Sequence, residues 1–243
     1  GGKHLPGGVR WGTKLRPRRG FWGRLLARTA RWNAEHLARR FIVGTNVEEA
    51  LATIARLRDL NLTFTVDLLG EATITEPEAD AVQAQYLELL EGLSREVNRW
   101  PENPLTDRDD RGPLPRVNVS VKLSALYSQF DPIDPEGTSA AVRRRLRPIL
   151  RSAKLHHAFV NFDMEQYSFK DVTLRIFEEI LEEPEFRDWP DVGVAIQVYL
   201  RDTEADLHRL LAWTKRRGTP VWVRLVKERC EFRNLRPHPD GEP

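Results

Sequence analysis

After residue 40, five short runs rich in Val, Ile, Phe and Thr alternate with long helix-forming stretches, and this predicts an α/β chain of parallel strands joined by crossover helices. Two further observations select an incomplete (β/α)8 barrel of about five strands over an open doubly wound sheet. No G-x-G-x-x-G loop follows the first run, so the phosphate-binding turn of the doubly wound fold is missing. Polar or ionisable residues also stand at or near the C-terminal ends of successive runs: Asp67, Lys122, Asp163, Gln197, Arg224 and Lys227. Chemistry in a β/α barrel collects on that rim.

The chain opens with a basic segment, residues 1–39, in which about eleven Lys and Arg within the first forty residues face a single acid, Glu35. Phe21 to Arg40 is expected to form a helix with Trp22, Leu25, Leu26, Trp32 and Leu37 on one face. Solvated arginines are the plain reading of its other side; a membrane-surface helix or a phosphate contact is the sharper one. The barrel region, residues 40–227, carries strands at Leu62–Leu69, Arg116–Leu123, Phe159–Met164, Val192–Tyr199 and Val221–Lys227. Between them, Glu71–Trp100, Ser139–Leu155, Phe169–Glu183 and Asp202–Gly218 repeat apolar residues at steps of three and four, as helices covering a sheet do. Residues 101–116, rich in Pro and Asp, read as a loop. Residues 228–243 hold three prolines and no periodicity, and are expected to be a divergent, disordered tail. A full barrel needs eight strands, so about three β/α units are absent.

Composition excludes more than it names. With 38 Lys and Arg against 36 Asp and Glu, the formal charge of +2 points to no partner. The single Cys cannot form an internal disulfide, which suits a reducing compartment. No run approaches the ~18 apolar residues of a membrane-spanning helix, and the first twenty residues lack the apolar stretch of a secretory signal, so the expected location is cytoplasmic. The chain begins with Gly and its one Met is Met164, so residue 1 is expected not to be a natural start. Metalloprotease, zinc, P-loop and hydrolase-elbow motifs are all missing, and no metal is expected.

Lys122 shares a strand face with Asn118 and Ser120, opposite three valines; if that face turns inward, its ammonium needs an anionic or polar partner. It can then hold a substrate carboxylate or act as a Schiff-base nucleophile. Asp163 ends the third strand with Glu165 two residues on, and Gln197 brings an amide with both donor and acceptor. Arg224 and Lys227 point to opposite faces of a regular strand, and serve one ligand only if Lys227 lies where the chain begins to turn. Together these groups suit a polyanionic or zwitterionic ligand.

The strings FTVDLLGEA at 64–72, VNVSVKLSALYSQFDP at 117–132, FVNFDMEQYSFKDVTLRIF at 159–177, VAIQVYLRD at 194–202 and VRLVK at 223–227 resemble the ordered motifs of the proline dehydrogenase family, most closely the flavin domain of bifunctional proline-utilisation enzymes. The resemblance covers about residues 38 to 227. It implies a distorted β/α barrel that binds FAD and oxidises L-proline to pyrroline-5-carboxylate, with a quinone as electron acceptor, peripheral association with the inner face of the membrane, and a fused aldehyde dehydrogenase domain in bifunctional members. No nucleic acid is expected.

It also implies residue roles. Lys122 matches a lysine that holds the proline carboxylate, and Asp163 an acid lining the flavin and substrate pocket, with Met164 beside it. Gln197 matches a glutamine bonding the isoalloxazine, Arg224 an arginine near the reactive flavin nitrogen, and Lys227 a lysine contacting the cofactor. Asp67 and Glu71 match acids that organise the pocket, Glu71 by pairing with a substrate-binding arginine. In the family VRLVK continues into a GAYWD-like segment, whereas here Glu228, Arg229, Cys230, Glu231 and Phe232 follow. The expectation is therefore a truncated chain, by frameshift or fragmentary gene model, that neither retains FAD nor oxidises proline at a useful rate. A Schiff-base lyase using Lys122 or Lys227, and a non-catalytic module binding membrane or nucleic acid through the basic helix, are the rival expectations.

Overall fold

Five of the described strands form one all-parallel sheet in the spatial order β1-β4-β5-β6-β7. The structure, a computed structural model, describes residues 44, 46–69 and 73–227. The expected basic helix at 21–40, Glu71 and the tail 228–243 lie outside the described residues. The sheet strands are β1 (Val66–Asp67), β4 (Val117–Val121), β5 (Ala158–Phe162), β6 (Val192–Gln197) and β7 (Trp222–Val226). Each expected strand is present and shorter than its apolar run. The order never reverses, so successive crossovers of one hand bring their helices to one side of the sheet, as in a barrel wall. The described strands do not close on themselves.

The chain divides into two compact units, Gly1–Thr53 and Ile54–Pro243, with helix α1 (Val47–Asp59) running through the boundary. This helix was not among the sequence expectations. Asn46 accepts the Glu49 amide through Oδ1 at 2.9 Å, and Glu48 and Glu49 occupy the first turn, a start signal legible in the sequence. In the second unit α2 (Glu76–Val97) begins in a capping box, Thr75 with Glu78, and α3 (Pro135–Leu155) begins at Asp134, whose Oδ1 accepts the Gly137 amide at 3.0 Å. The remaining helices are α4 (Lys170–Leu181) and α5 (Thr203–Arg217), the latter stopped by Gly218 at φ 82. The loop 101–116 holds a short antiparallel hairpin, β2 (Arg108–Asp109) with β3 (Gly112–Pro113).

Alternation along the strands separates two jobs. Val117, Val119 and Val121, Val160 and Phe162, and Val192, Val194 and Ile196 are buried in the apolar core. Phe162 meets Phe177 of α4 edge-on at 5.0 Å, and Phe177 meets Trp213 of α5 at 5.6 Å. The opposite face carries Asn118, Ser120, Asn161, Gly193 and Ala195. A Cβ on Gly193 would stand 2.9 Å from the Trp222 carbonyl oxygen, so β6 and β7 approach closely only because this residue is glycine.

Glu76, in the first turn of α2, ties the helix layer to the loop after β4. Its carboxylate accepts from Ser128 Oγ at 2.6 Å, Ser128 N at 3.2 Å and Arg145 Nη2 at 2.7 Å. The Ser128 hydroxyl and then the Arg145 guanidinium hold its pKa down to about 2. A carboxyl depressed in the folded state adds stability above its unfolded value near 4.5, and that stability is lost as pH falls toward 2. Melting temperature is thus expected to fall between those limits, and less steeply in Glu76→Gln. A melting temperature indifferent to pH across that window in both proteins would contradict this.

Candidate functional site at the C-terminal rim

Register across the sheet brings the rim together. Val119 pairs with Val66, and Ser120 with both Asp67 and Asn161; Asn161 pairs with Gly193, and Ala195 with Arg224. Two residues further along, Lys122, Asp163, Ala195 and Arg224 fall in one row across four strands, with Asp67 one step lower. Strands lie about 4.8 Å apart, so a β7 side chain must cross β6 to reach β5. Ala195 leaves that path open, and Arg224 Nη2 donates to Asp163 Oδ1 at 2.9 Å.

The result is a line of alternating charge. Lys122 Nζ pairs with Asp67 Oδ2 and lies 3.9 Å from Asp163 Oδ2, and Asp163 in turn holds Arg224. Two acids and two bases sum to zero formal charge. Lys122 is 27% exposed and Arg224 44%, so both cations can reach a ligand entering from the concave side. Each retains donor capacity beyond these contacts.

Gln197 ends β6 one row above. Its Nε2 donates to the Glu165 backbone carbonyl at 2.8 Å, and the Gln197 backbone carbonyl accepts from Thr203 Oγ1 at 2.7 Å. The Glu165 carboxylate accepts from Ser124 Oγ at 2.6 Å and Ser124 N at 3.2 Å. Glu165 thus knits the loops after β4, β5 and β6, a role that sequence spacing alone does not reveal. Met164 is buried, and its amide donates to Asp163 Oδ1 at 3.1 Å. Lys227 directly follows β7, is exposed, and makes no ion pair with the Asp163 group among the described residues.

Beside Lys122 opens a cleft of about 470 Å³ whose walls include Leu68, Tyr86, Ser124, Glu165 and Phe169. A second cleft, about 250 Å³ and lined by Arg58, Trp100, Asp107, Phe159 and Trp222, lies at the N-terminal end of the strands, away from the row. His156 caps the C-terminus of α3, with Nδ1 2.9 Å from the Ser152 carbonyl. Among the described residues no group of His, Cys, Asp and Glu has the arrangement of a metal site, and no helix is long and apolar enough to cross a membrane.

A family model described as proline dehydrogenase matches residues 50–227. The chain belongs to the proline dehydrogenase family. It is 25% identical over 191 residues to the bifunctional protein PutA of Escherichia coli K12, covering 79% of this chain and 14% of that protein. It is 28% identical over 173 residues to proline dehydrogenase 1 of Bacillus subtilis 168, covering 71% of this chain and 48% of that one. Among solved structures, PutA from Bdellovibrio bacteriovorus inactivated by N-propargylglycine superposes with a TM-score of 0.82 at 44% identity, over 84% of this chain and 21% of the other. The chain therefore spans about half, or less, of the length of these relatives. The α/β fold with a five-stranded parallel sheet agrees with the expected barrel portion.

Proposed function

We propose that this rim serves the FAD-dependent oxidation of L-proline to pyrroline-5-carboxylate. The single observation that carries the reading is the neutral row Asp67–Lys122–Asp163–Arg224. Proline at neutral pH is a zwitterion, and a site of alternating, balanced charge receives its carboxylate and its amine without a net desolvated charge. Lys122 takes the carboxylate, for which Asp67 must yield its place on the ammonium. Asp163 keeps Lys122 and Arg224 at a fixed spacing while this happens.

The residues present fit a flavin. Gly193 and Ala195 add no long side chain of their own to the concave face, and the Gln197 Nε2 bond to Glu165 leaves the amide oxygen for a ring N–H. Arg224 and Met164 would line the ring and Lys227 would add a further cationic contact. FAD, when bound, supplies the hydride acceptor. Arg224 and Lys122 then stabilise negative charge developing beside them, and the loops joined through Glu165 keep the donors aimed. Glu71, Asp67 and Lys122 would organise the substrate side. A quinone as the final electron acceptor, peripheral membrane association and a fused aldehyde dehydrogenase domain belong to the same proposal, supported by likeness to bifunctional relatives.

The test uses the purified chain supplemented with FAD. Flavin absorbance that survives gel filtration, together with proline-dependent dye reduction, is the result this proposal expects, and it would overturn the sequence-based expectation that a chain departing from the family pattern after Lys227 retains neither FAD nor useful turnover. A colourless protein with no proline-dependent reduction would overturn the proposal, and borohydride trapping of a carbonyl substrate on Lys122 would favour the lyase instead.

A further inference from the structure

We propose that Tyr86 is a positioning residue for Lys122: its phenol oxygen anchors the backbone where the chain leaves β4, and that anchor aims the ammonium along the rim. The inference rests on the role proposed above for Lys122. Tyr86 belongs to α2, on the helical side of the sheet, and is 1% exposed. A Phe would fill almost the same volume, so the hydroxyl needs its own explanation.

That explanation lies in where the sheet stops. Ladder pairing between β4 and β5 ends at Val121 with Phe162, pairing between β1 and β4 ends at Asp67 with Ser120, and Asp163 N donates back to the Val121 carbonyl. Lys122 therefore has no strand partner for its amide. Its N–H donates instead to Tyr86 Oη at 3.2 Å, while its carbonyl accepts from Ala125 N at 3.3 Å in the 3-10 turn Leu123–Leu126. The peptide groups on both sides of Lys122 are pinned, with φ −92 and ψ 117 between them. Backbone angles limit the rotamers open to a side chain, so the pinned backbone limits where Nζ can go. Burial first, and then the charges of Asp67, Glu165 and Asp163, push the phenol pKa upward, so Tyr86 stays a neutral hydroxyl through the working range. A displacement of about 1 Å in a positioned group can slow a reaction roughly a hundredfold.

A hydroxyl that merely satisfies a buried amide would affect stability alone. A positioning hydroxyl would also change the accessibility of the Lys122 ammonium. The test is Tyr86→Phe in the full chain, read by mass spectrometry as acylation of the Lys122 amine relative to Lys154, an exposed lysine whose Nζ donates to the Glu185 carbonyl. Hydrogen exchange at the Lys122 amide and steady-state kinetics are measured alongside. Relative acylation is expected to rise about threefold or more and amide exchange about tenfold, with KM for proline up about three- to tenfold and kcat within about twofold. Faster exchange with unchanged acylation would overturn the proposal, because the hydroxyl would then serve stability alone. Should Tyr86→Phe lose its helical circular dichroism, Lys122 in the wild-type chain decides: an amide exchanging as fast as an unstructured peptide refutes the anchor, and a protected one supports it. Absence of proline turnover in wild type would sink the proline reading alone, since acylation and exchange need no substrate.

Discussion

Replacing Asp163 by alanine is expected to lower proline oxidation by about 10²–10³-fold while leaving the fold intact. The carboxylate accepts from Arg224 Nη2 at 2.9 Å, lies 3.9 Å from Lys122 Nζ, and also accepts the Met164 amide at 3.1 Å. Without it, two cations in one row lose the anion that separates them. Arg224 is then free to leave the concave face, and Lys122 keeps only Asp67. The stability cost should stay below about 1 kcal/mol, because these side chains already share their charge with water. Asp163→Asn, which keeps the acceptor and loses the charge, should fall between wild type and alanine. The measurements are kcat, KM and a thermal melt for each variant. Unimpaired turnover in Asp163→Ala would remove the charged row from the mechanism.

The largest effect on stability should come from Asp107→Ala, at about 3 kcal/mol. Asp107 is nearly sealed, with its side chain 3% exposed, and it organises the loop between α2 and β4. Its carboxylate accepts from Arg58 Nη1 at 2.8 Å and Nη2 at 2.5 Å, from Asn103 N at 2.9 Å and from Thr106 Oγ1 at 2.9 Å. Arg116 Nε stands 3.1 Å away. Removing one partner of a buried pair costs about 3–5 kcal/mol, because the other charge is left behind. Here two guanidinium groups remain, each still reaching water with about a fifth of its side chain, which favours the lower end of that range. The Arg58 hydrogen bond is the main reason the carboxyl titrates well below the usual range, so the contribution is complete at neutral pH. Urea unfolding measures the loss, and a cost under about 1 kcal/mol would mean water already shares these contacts. Catalysis by the molecules that remain folded should be unchanged, since Asp107 lines the cleft at the other end of the strands.

The strand set and its parallel sense were legible because the buried strands are short runs rich in Val, Ile and Phe, flanked by helices with clear periodicity. Boundaries were less so. The run Leu62–Leu69 is apolar enough to be a strand throughout, yet only Val66 and Asp67 pair with β4. Helix α1 is poorly legible because Glu48, Glu49, Arg56, Arg58 and Asp59 crowd its sequence, although Asn46 offers a cap. The hairpin β2–β3 is too short to leave a periodic trace. Within the site, ionisable residues at strand ends were readable one by one. Their partnerships were not, because Lys122 meets Asp67 across 55 residues and Arg224 meets Asp163 across 61. Glu165 looked like a second acid beside Asp163, and only the loops it joins reveal its task. Nothing in the sequence sets Tyr86 apart from any other aromatic residue of an amphipathic helix.

The strict alternation within β4 and β5 also bears on how such a protein can change. Inserting or deleting one residue in either strand would exchange the two sides in a single step, driving Lys122 or Asp163 among the helices and turning valines or Phe162 toward the ligand. Substitutions can accumulate one at a time there, but the length of these strands cannot drift. Length variation is left to connecting segments that hold neither the Glu165 contacts of the rim nor the buried Asp107 cluster.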